Sequence, residues 1–195
     1  MPGGRPRSFD ADTALDRALE VFWRNGFEGT SLTDLTAAMG INKPSLYAAF
    51  GNKEELFGKV VTRYLEGPGA YAADALAAPT GREVLERLIQ GAVDLTAGKN
   101  TPHGCLCVKT VQAGGPDAHT VRQDTVRVRK AAETALRRRL ERATDLPPGH
   151  EPAALAALVH TISDGIAVQA AAGRSRAQLR QIAGSALRAL LNEGT

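Results

Sequence analysis

The chain has 195 residues, 43% of them hydrophobic, with a formal net charge of +3. That length suits one or two domains with a sizeable core, and no stretch approaches the roughly 20 uninterrupted apolar residues of a membrane span. The opening Pro-Gly-Gly-Arg-Pro-Arg offers no apolar segment for a signal peptide, and two cysteines one residue apart make no disulfide framework, so the expected location is the cytoplasm.

In chain order, residues 1–8 read as a short basic arm, kept extended by Pro and Gly around Arg5 and Arg7. The first helix is expected from Ala11 to Asn25, capped by Asp10, with Leu15, Ala18, Leu19, Phe22 and Trp23 as its buried stripe and Gly26 as its stop. Ser31 then caps a second helix whose apolar residues Leu32, Leu35 and Met39 fall on one face. Gly40 supplies the left-handed turn, Asn42 caps a third helix, and Pro44 is tolerated in its first turn. Leu46 and Phe50 are the inward residues of that helix, leaving Lys43, Ser45, Tyr47 and Ala49 outside. Two short helices across a glycine turn fit a helix-turn-helix, whose second helix enters the major groove. On spacing alone, an αα-hairpin that only packs fits as well.

Further along, a fourth helix starts near Lys53 and is broken by Gly67-Pro68-Gly69, a fifth covers about 82–97, and a short sixth lies around 105–113. Gly114-Gly115-Pro116 separates this from a long seventh, about 118–143, and Leu146-Pro147-Pro148-Gly149 forces a loop. The last two helices are expected over about 152–172 and 176–192. No strand-like alternation of useful length and no internal repeat is present, so the expected fold is all-α with about nine helices.

Phe22-Trp-Arg-Asn-Gly-Phe-Glu-Gly-Thr-Ser-Leu-Thr-Asp-Leu, followed by Met39-Gly-Ile-Asn-Lys-Pro-Ser-Leu-Tyr-Ala-Ala-Phe-Gly-Asn-Lys-Glu-Glu-Leu-Phe57, resembles the DNA-binding module of the TetR family of bacterial regulators. The resemblance covers roughly residues 9–60. It implies an N-terminal helix-turn-helix domain at 9–60 and a helical ligand-binding and dimerisation domain at 61–195. It also implies a homodimer on double-stranded operator DNA, released by a small-molecule effector.

Through residue 60 there are seven basic and eight acidic side chains, so DNA binding there must come from local placement of charge. The densest basic stretch, Arg122 to Arg142, reads instead as a solvated helix face. On the third helix, Lys43, Ser45 and Tyr47 share the exposed side from which side chains reach base edges or phosphates. By resemblance Tyr47 lies against the phosphate-sugar backbone, Lys53 contacts phosphate and Thr33 is the second-helix residue that meets DNA. Arg5 and Arg7 are candidates for a narrow minor groove, against the alternative of an uninvolved tail.

All nine aromatic residues lie between Phe9 and Tyr71. A pocket built from residues 82–172 is therefore expected to be aliphatic, with Cys105, Cys107, Gln112, His119, His160, Asp164 and Gln169 as polar candidates. His103-Gly104-Cys105-Leu106-Cys107 resembles a subgroup of TetR-like regulators, some of which sense electrophiles through a cysteine at this place. A thiol at a helix start has a lowered pKa, although free cysteines more often act as small buried hydrophobes. No cofactor is expected; residues two apart on a helix diverge by about 200°, so His103, Cys105 and Cys107 could converge on a metal only if the helix began after them, and no metal site is expected.

Leu155, Leu158, Val159, Ile162 and Ile166 form one stripe on the last two helices, and Leu179, Ile182, Ala186, Leu187 and Leu190 form the other. These are the expected dimer surface, which predicts a roughly palindromic operator. No Ser-His-Asp pattern, phosphate loop or helical His pair points to an enzyme. The function expected is a ligand-responsive regulator, with a thiol sensor acting through Cys105 as the alternative.

Overall fold

The structure is a computed structural model that describes residues 9–99, 101–146, 149 and 151–191. Arg5 and Arg7 lie outside the described residues. Among the described residues there are ten α-helices and no strand: α1 (Ala11–Asn25), α2 (Leu32–Met39), α3 (Lys43–Phe50), α4 (Lys53–Glu66), α5 (Tyr71–Leu76), α6 (Gly81–Thr96), α7 (Leu106–Val111), α8 (His119–Leu140), α9 (Pro152–Ala171) and α10 (Arg176–Leu190). A 3-10 turn at Pro116–Ala118 leads into α8.

Local signals set most of these boundaries. The Asp10 carboxylate accepts the Asp12 amide at the start of α1. Ser31 with Asp34, and Asn52 with Glu55, form reciprocal capping boxes on α2 and α4, satisfying amides that the first helical turn leaves unpaired. Asn42 accepts the Ser45 amide at 2.8 Å to start α3.

The count exceeds the expected nine by one helix, because Tyr71–Leu76 follows the Gly-Pro-Gly break directly. It is under two turns long and has no side-chain cap, so nothing local announces it. Tertiary contacts hold it. The Tyr71 ring lies on Gly91 of α6, where a Cβ would collide with it, and the Arg139 guanidinium donates to the carbonyls of Leu76, Ala78 and Pro79 at 3.2, 2.8 and 3.1 Å. Arg139 therefore leaves the solvated face assigned to the basic stretch of α8. Arg138 remains exposed and Arg137 pairs with Glu141 at 3.3 Å.

Two hydrophobic cores form. The first joins α1–α4 around Phe22, Phe27 and Phe57, whose rings meet edge-on at 5.0 and 5.2 Å, with Leu35, Leu46 and Leu56 fully buried beside them. Leu106 and Cys107 of α7 and Val121 of α8 also belong to it. The second joins α6, the end of α8, α9 and α10 through Leu85, Ile89, Leu136, Val159 and Leu179. Burying such a side chain contributes about 1.5–3 kcal/mol, so these clusters dominate over the exposed ion pairs.

Among the described residues one helix, α9, is long and apolar enough to cross a membrane by length and composition. His160, Ser163 and Asp164 interrupt its apolar run, which is why no such stretch stands out in the sequence. In the fold α9 packs between α6, α8 and α10.

Candidate nucleic-acid interface and internal cavity

Helices α2 and α3 are joined by Gly40, Ile41 and Asn42. Gly40 has φ 69° and ψ 30°, the left-handed conformation that lets the Ile41 amide reach back to the Thr36 carbonyl at 3.1 Å and close the helix end. Leu35 and Met39 of α2 and Leu46 and Phe50 of α3 face inward, which fixes what α3 presents outward. Lys43 is exposed and Tyr47, one turn on, is 49% exposed, so Tyr47 is not a core residue. Thr33 is exposed at the start of α2, whereas Ser45 is half-buried.

Ala49 departs from its expected outward placement. Three residues from Leu46 and one from Phe50, it packs half-buried against the first core, and Ala48 takes the exposed position instead. Lys53, the first residue of α4, is also half-buried. Its ammonium lies 4.3 Å from the centroid of the Phe27 ring. Burial lowers its pKa, partly countered by the carboxylates of Glu54, Asp117 and Glu28.

Behind this surface, an internal cavity of about 160 Å³ opens between α4, α5, α6, α8 and α9. Its wall is mainly apolar, with Leu88, Leu95, Val128, Leu136 and Val159 among the lining residues. Tyr64, Tyr71, Cys105, Cys107, Arg129, His160, Ser163 and Asp164 supply the polar groups. Of the residues proposed from sequence, Cys105, Cys107, His160 and Asp164 line this cavity. Gln112, His119 and Gln169 do not line this cavity and are exposed. Gln112 follows the last turn of α7, and the His119 ring, on the outer side of α8, meets Gln123 at 3.3 Å.

The expectation of a pocket without aromatic residues is corrected by Tyr64 and Tyr71. Both come from before residue 82, because α4 and α5 close one side of the cavity. Arg129 was missed for a different reason: its partner Asp164 is 35 residues away on another helix, which leaves no local spacing to read.

Around Cys105 the contacts are specific. Cys105 is the N-cap of α7, with extended backbone, rather than a residue inside the helix. The Tyr64 hydroxyl donates to its sulfur at 3.3 Å. The Cys107 thiol, the Tyr64 hydroxyl and the amides of Val108 and Cys107 together lower the Cys105 pKa to about 6, against the opposing effect of burial. Its neighbour raises the Cys107 pKa by accepting that thiol proton, and burial adds to the rise. His103 is exposed.

The preceding Gly104 has φ 89° and its Cβ position would lie 3.1 Å from the Ala171 methyl of α9, so both conformation and space require glycine. The Gly104 carbonyl accepts the Trp23 indole N–H at 2.8 Å, and the Trp23 ring meets Tyr64 edge-on at 5.0 Å. Lys109 donates to the carbonyls of Trp23 and Arg24 at 2.8 and 3.3 Å, capping the end of α1. Among the described residues, no group of three or more His, Cys, Asp or Glu side chains is placed to hold a metal ion.

A helix-turn-helix with an exposed second helix, backed by a second helical core beside an internal cavity, defines the architecture of a helical DNA-binding regulator. Known proteins agree. The profile of the bacterial regulatory proteins of the tetR family matches residues 14–60. The transcriptional repressor ComR of Escherichia coli K12 is 35% identical over 191 residues, covering 95% of this chain and 90% of ComR. The repressor BdcR of the same organism is 30% identical over 200 residues, covering 97% and 95%. A cysteine-substituted form of the TetR-family regulator CifR, solved with a 26-base-pair operator duplex, is 40% identical, covers 95% of this chain and 99% of its own, and superposes with a TM-score of 0.89. The chain belongs to the TetR family of transcriptional regulators.

Proposed function

We propose that this protein is a homodimeric repressor that binds a palindromic operator through α3 and is released when a small molecule occupies the cavity. Residues 9–60 serve DNA and residues 61–195 serve effector and dimer, in the cytoplasm. The observation that carries this reading is a contact between the two regions. Tyr64 lines the cavity, and its ring packs edge-on against Trp23 of the first core. Movement of α4 would change the separation of the two recognition helices and break their match to the operator. Selection of duplexes from a random pool should return a two-fold symmetric sequence. Lys53→Ala should then weaken binding to every duplex and flatten the slope of log K against log salt by about 0.9, the loss of one phosphate contact. Lys43→Ala should change which base pairs are preferred. An unchanged slope removes Lys53 from the interface, and an unchanged preference moves base readout to other residues.

A second reading is favoured by one observation, the Cys105 sulfur in the cavity wall under the Tyr64 hydroxyl. In that reading an electrophile or peroxide modifies Cys105 and releases the dimer. Wild type and Cys105→Ser should then bind the operator equally, and only wild type should be released by the reagent. Equal release of both leaves Cys105 a packing residue.

A further inference from the structure

We infer that the cavity takes a compact molecule of about single-ring size that carries no negative charge, with one hydrogen-bonding group directed to Tyr71, Ser163 and His160. This rests on the reading of the cavity as the effector site and names the chemistry that site accepts.

Size sets the first limit. The volume of about 160 Å³ is close to the roughly 150 Å³ of an engineered apolar cavity that admits benzene. Fused-ring dyes and long acyl chains exceed it without rearrangement of the helices. Charge sets the second limit. Arg129 is the cation in the wall, and it is committed to Asp164, so the pair presents no spare charge to an anion. Burial, and then the neighbouring Arg129, lower the His160 pKa against the opposing carboxylates of Glu133 and Asp164, which favours the uncharged ring. An anion entering this mainly apolar space loses its hydration without gaining a partner, and the Cys105 sulfur in the wall, its pKa lowered to about 6, adds negative charge that opposes it.

Hydrogen bonding sets the third. The Tyr71 and Ser163 hydroxyls and the His160 ring line the cavity, and none of the three is hydrogen-bonded to another of the described residues. A ligand with one hydroxyl or carbonyl satisfies such groups, and a ligand without one leaves them unpaired.

Trp23 is the chain's single tryptophan, and its edge-on contact with Tyr64 makes its fluorescence a reporter of the cavity. The full-length protein is titrated with benzyl alcohol, toluene, benzoate and ethidium, followed by Trp23 emission and by calorimetry. Benzyl alcohol should give a saturable response, benzoate should bind at least about tenfold more weakly, and ethidium should not compete. Tyr71→Phe keeps the ring against Gly91 and should weaken benzyl alcohol several-fold while leaving toluene unchanged. Ala92→Leu, which fills the cavity from α6, should abolish both responses. Benzoate binding as tightly as benzyl alcohol, displacement by ethidium, or no saturable response to the neutral ring compounds overturns the inference. If the predicted binding pattern holds but saturating benzyl alcohol leaves operator affinity unchanged, the ligand class stands and the effector-site reading falls.

Discussion

Cys105 shows how one residue acquires a property its type does not confer. A thiol buried in apolar surroundings is ordinarily pushed toward its neutral form. Here hydrogen-bond donors converge on the sulfur from Tyr64, Cys107 and two backbone amides, and their combined effect outweighs burial. Alkylation of Cys105 by iodoacetamide, located by mass spectrometry, should rise with pH through a midpoint near 6 and level off above it, because the thiolate is the nucleophile. Tyr64→Phe removes one donor to the charged form and should move that midpoint upward. A midpoint that stays in place would assign the depression to Cys107 and the amides alone. His103, two residues before Cys105, is exposed.

At the scale of elements, α7 is the informative case. Six residues are too few to hold a helix by their own hydrogen bonds, so α7 exists because of what it touches. Leu106 and Cys107 anchor it in the first core, the Gly104 carbonyl holds the Trp23 indole, and Lys109 caps α1. The segment carrying Cys105 is therefore fastened to the DNA-binding helices as well as to the cavity. Lys109→Met keeps the apolar stem and deletes the charged donor, a loss of about 1–2 kcal/mol for a half-buried ammonium–carbonyl contact. Amide hydrogen exchange should quicken over residues 104–111 while α9 and α10 keep their protection. Unchanged exchange in 104–111 would mean that the core contacts alone hold the segment. A second tie runs through Arg63 of α4, which grips both carboxylate oxygens of Asp16 on α1 at 2.7 and 2.9 Å; being exposed, it orients the two helices more than it stabilises them.

For the whole molecule, the apolar residues of α9 and α10 are only partly buried within the chain itself. Leu155, Val159, Ile166, Leu179, Leu187 and Leu190 are spent on the chain's own second core. Leu158, Val168 and Ile182 remain outside at 45, 41 and 38% exposure, and the Gly165 Cβ position meets nothing. Exposed large apolar residues on neighbouring helices are the surface we propose for the two-fold dimer, which would bring each patch against its copy. The double variant Leu158→Glu, Ile182→Glu should remain helical by circular dichroism. At one concentration wild type should sediment as a dimer and the double variant as a monomer, and the variant should lose most of its operator affinity. A dimeric double variant would place the interface on another face.

Much of this protein is determined by local sequence. The caps at Asp10, Ser31, Asn42 and Asn52, the left-handed Gly40 and the 3.6-residue stripes are decided by neighbours within a turn or two, which is why α1–α4 and the outward faces of Lys43 and Tyr47 could be read directly. The exchange of Ala49 for Ala48 at the exposed face shows the limit even there, since a rotation of one residue depends on how Phe50 seats in its core. Tertiary structure alone decided the rest. The existence of α5, the burial of Lys53 over Phe27, the Arg129–Asp164 pair and the tyrosines in the cavity all join residues far apart in the chain. No periodicity records such meetings. They follow from packing helix surfaces to solid density, and that is settled only when every helix is in place.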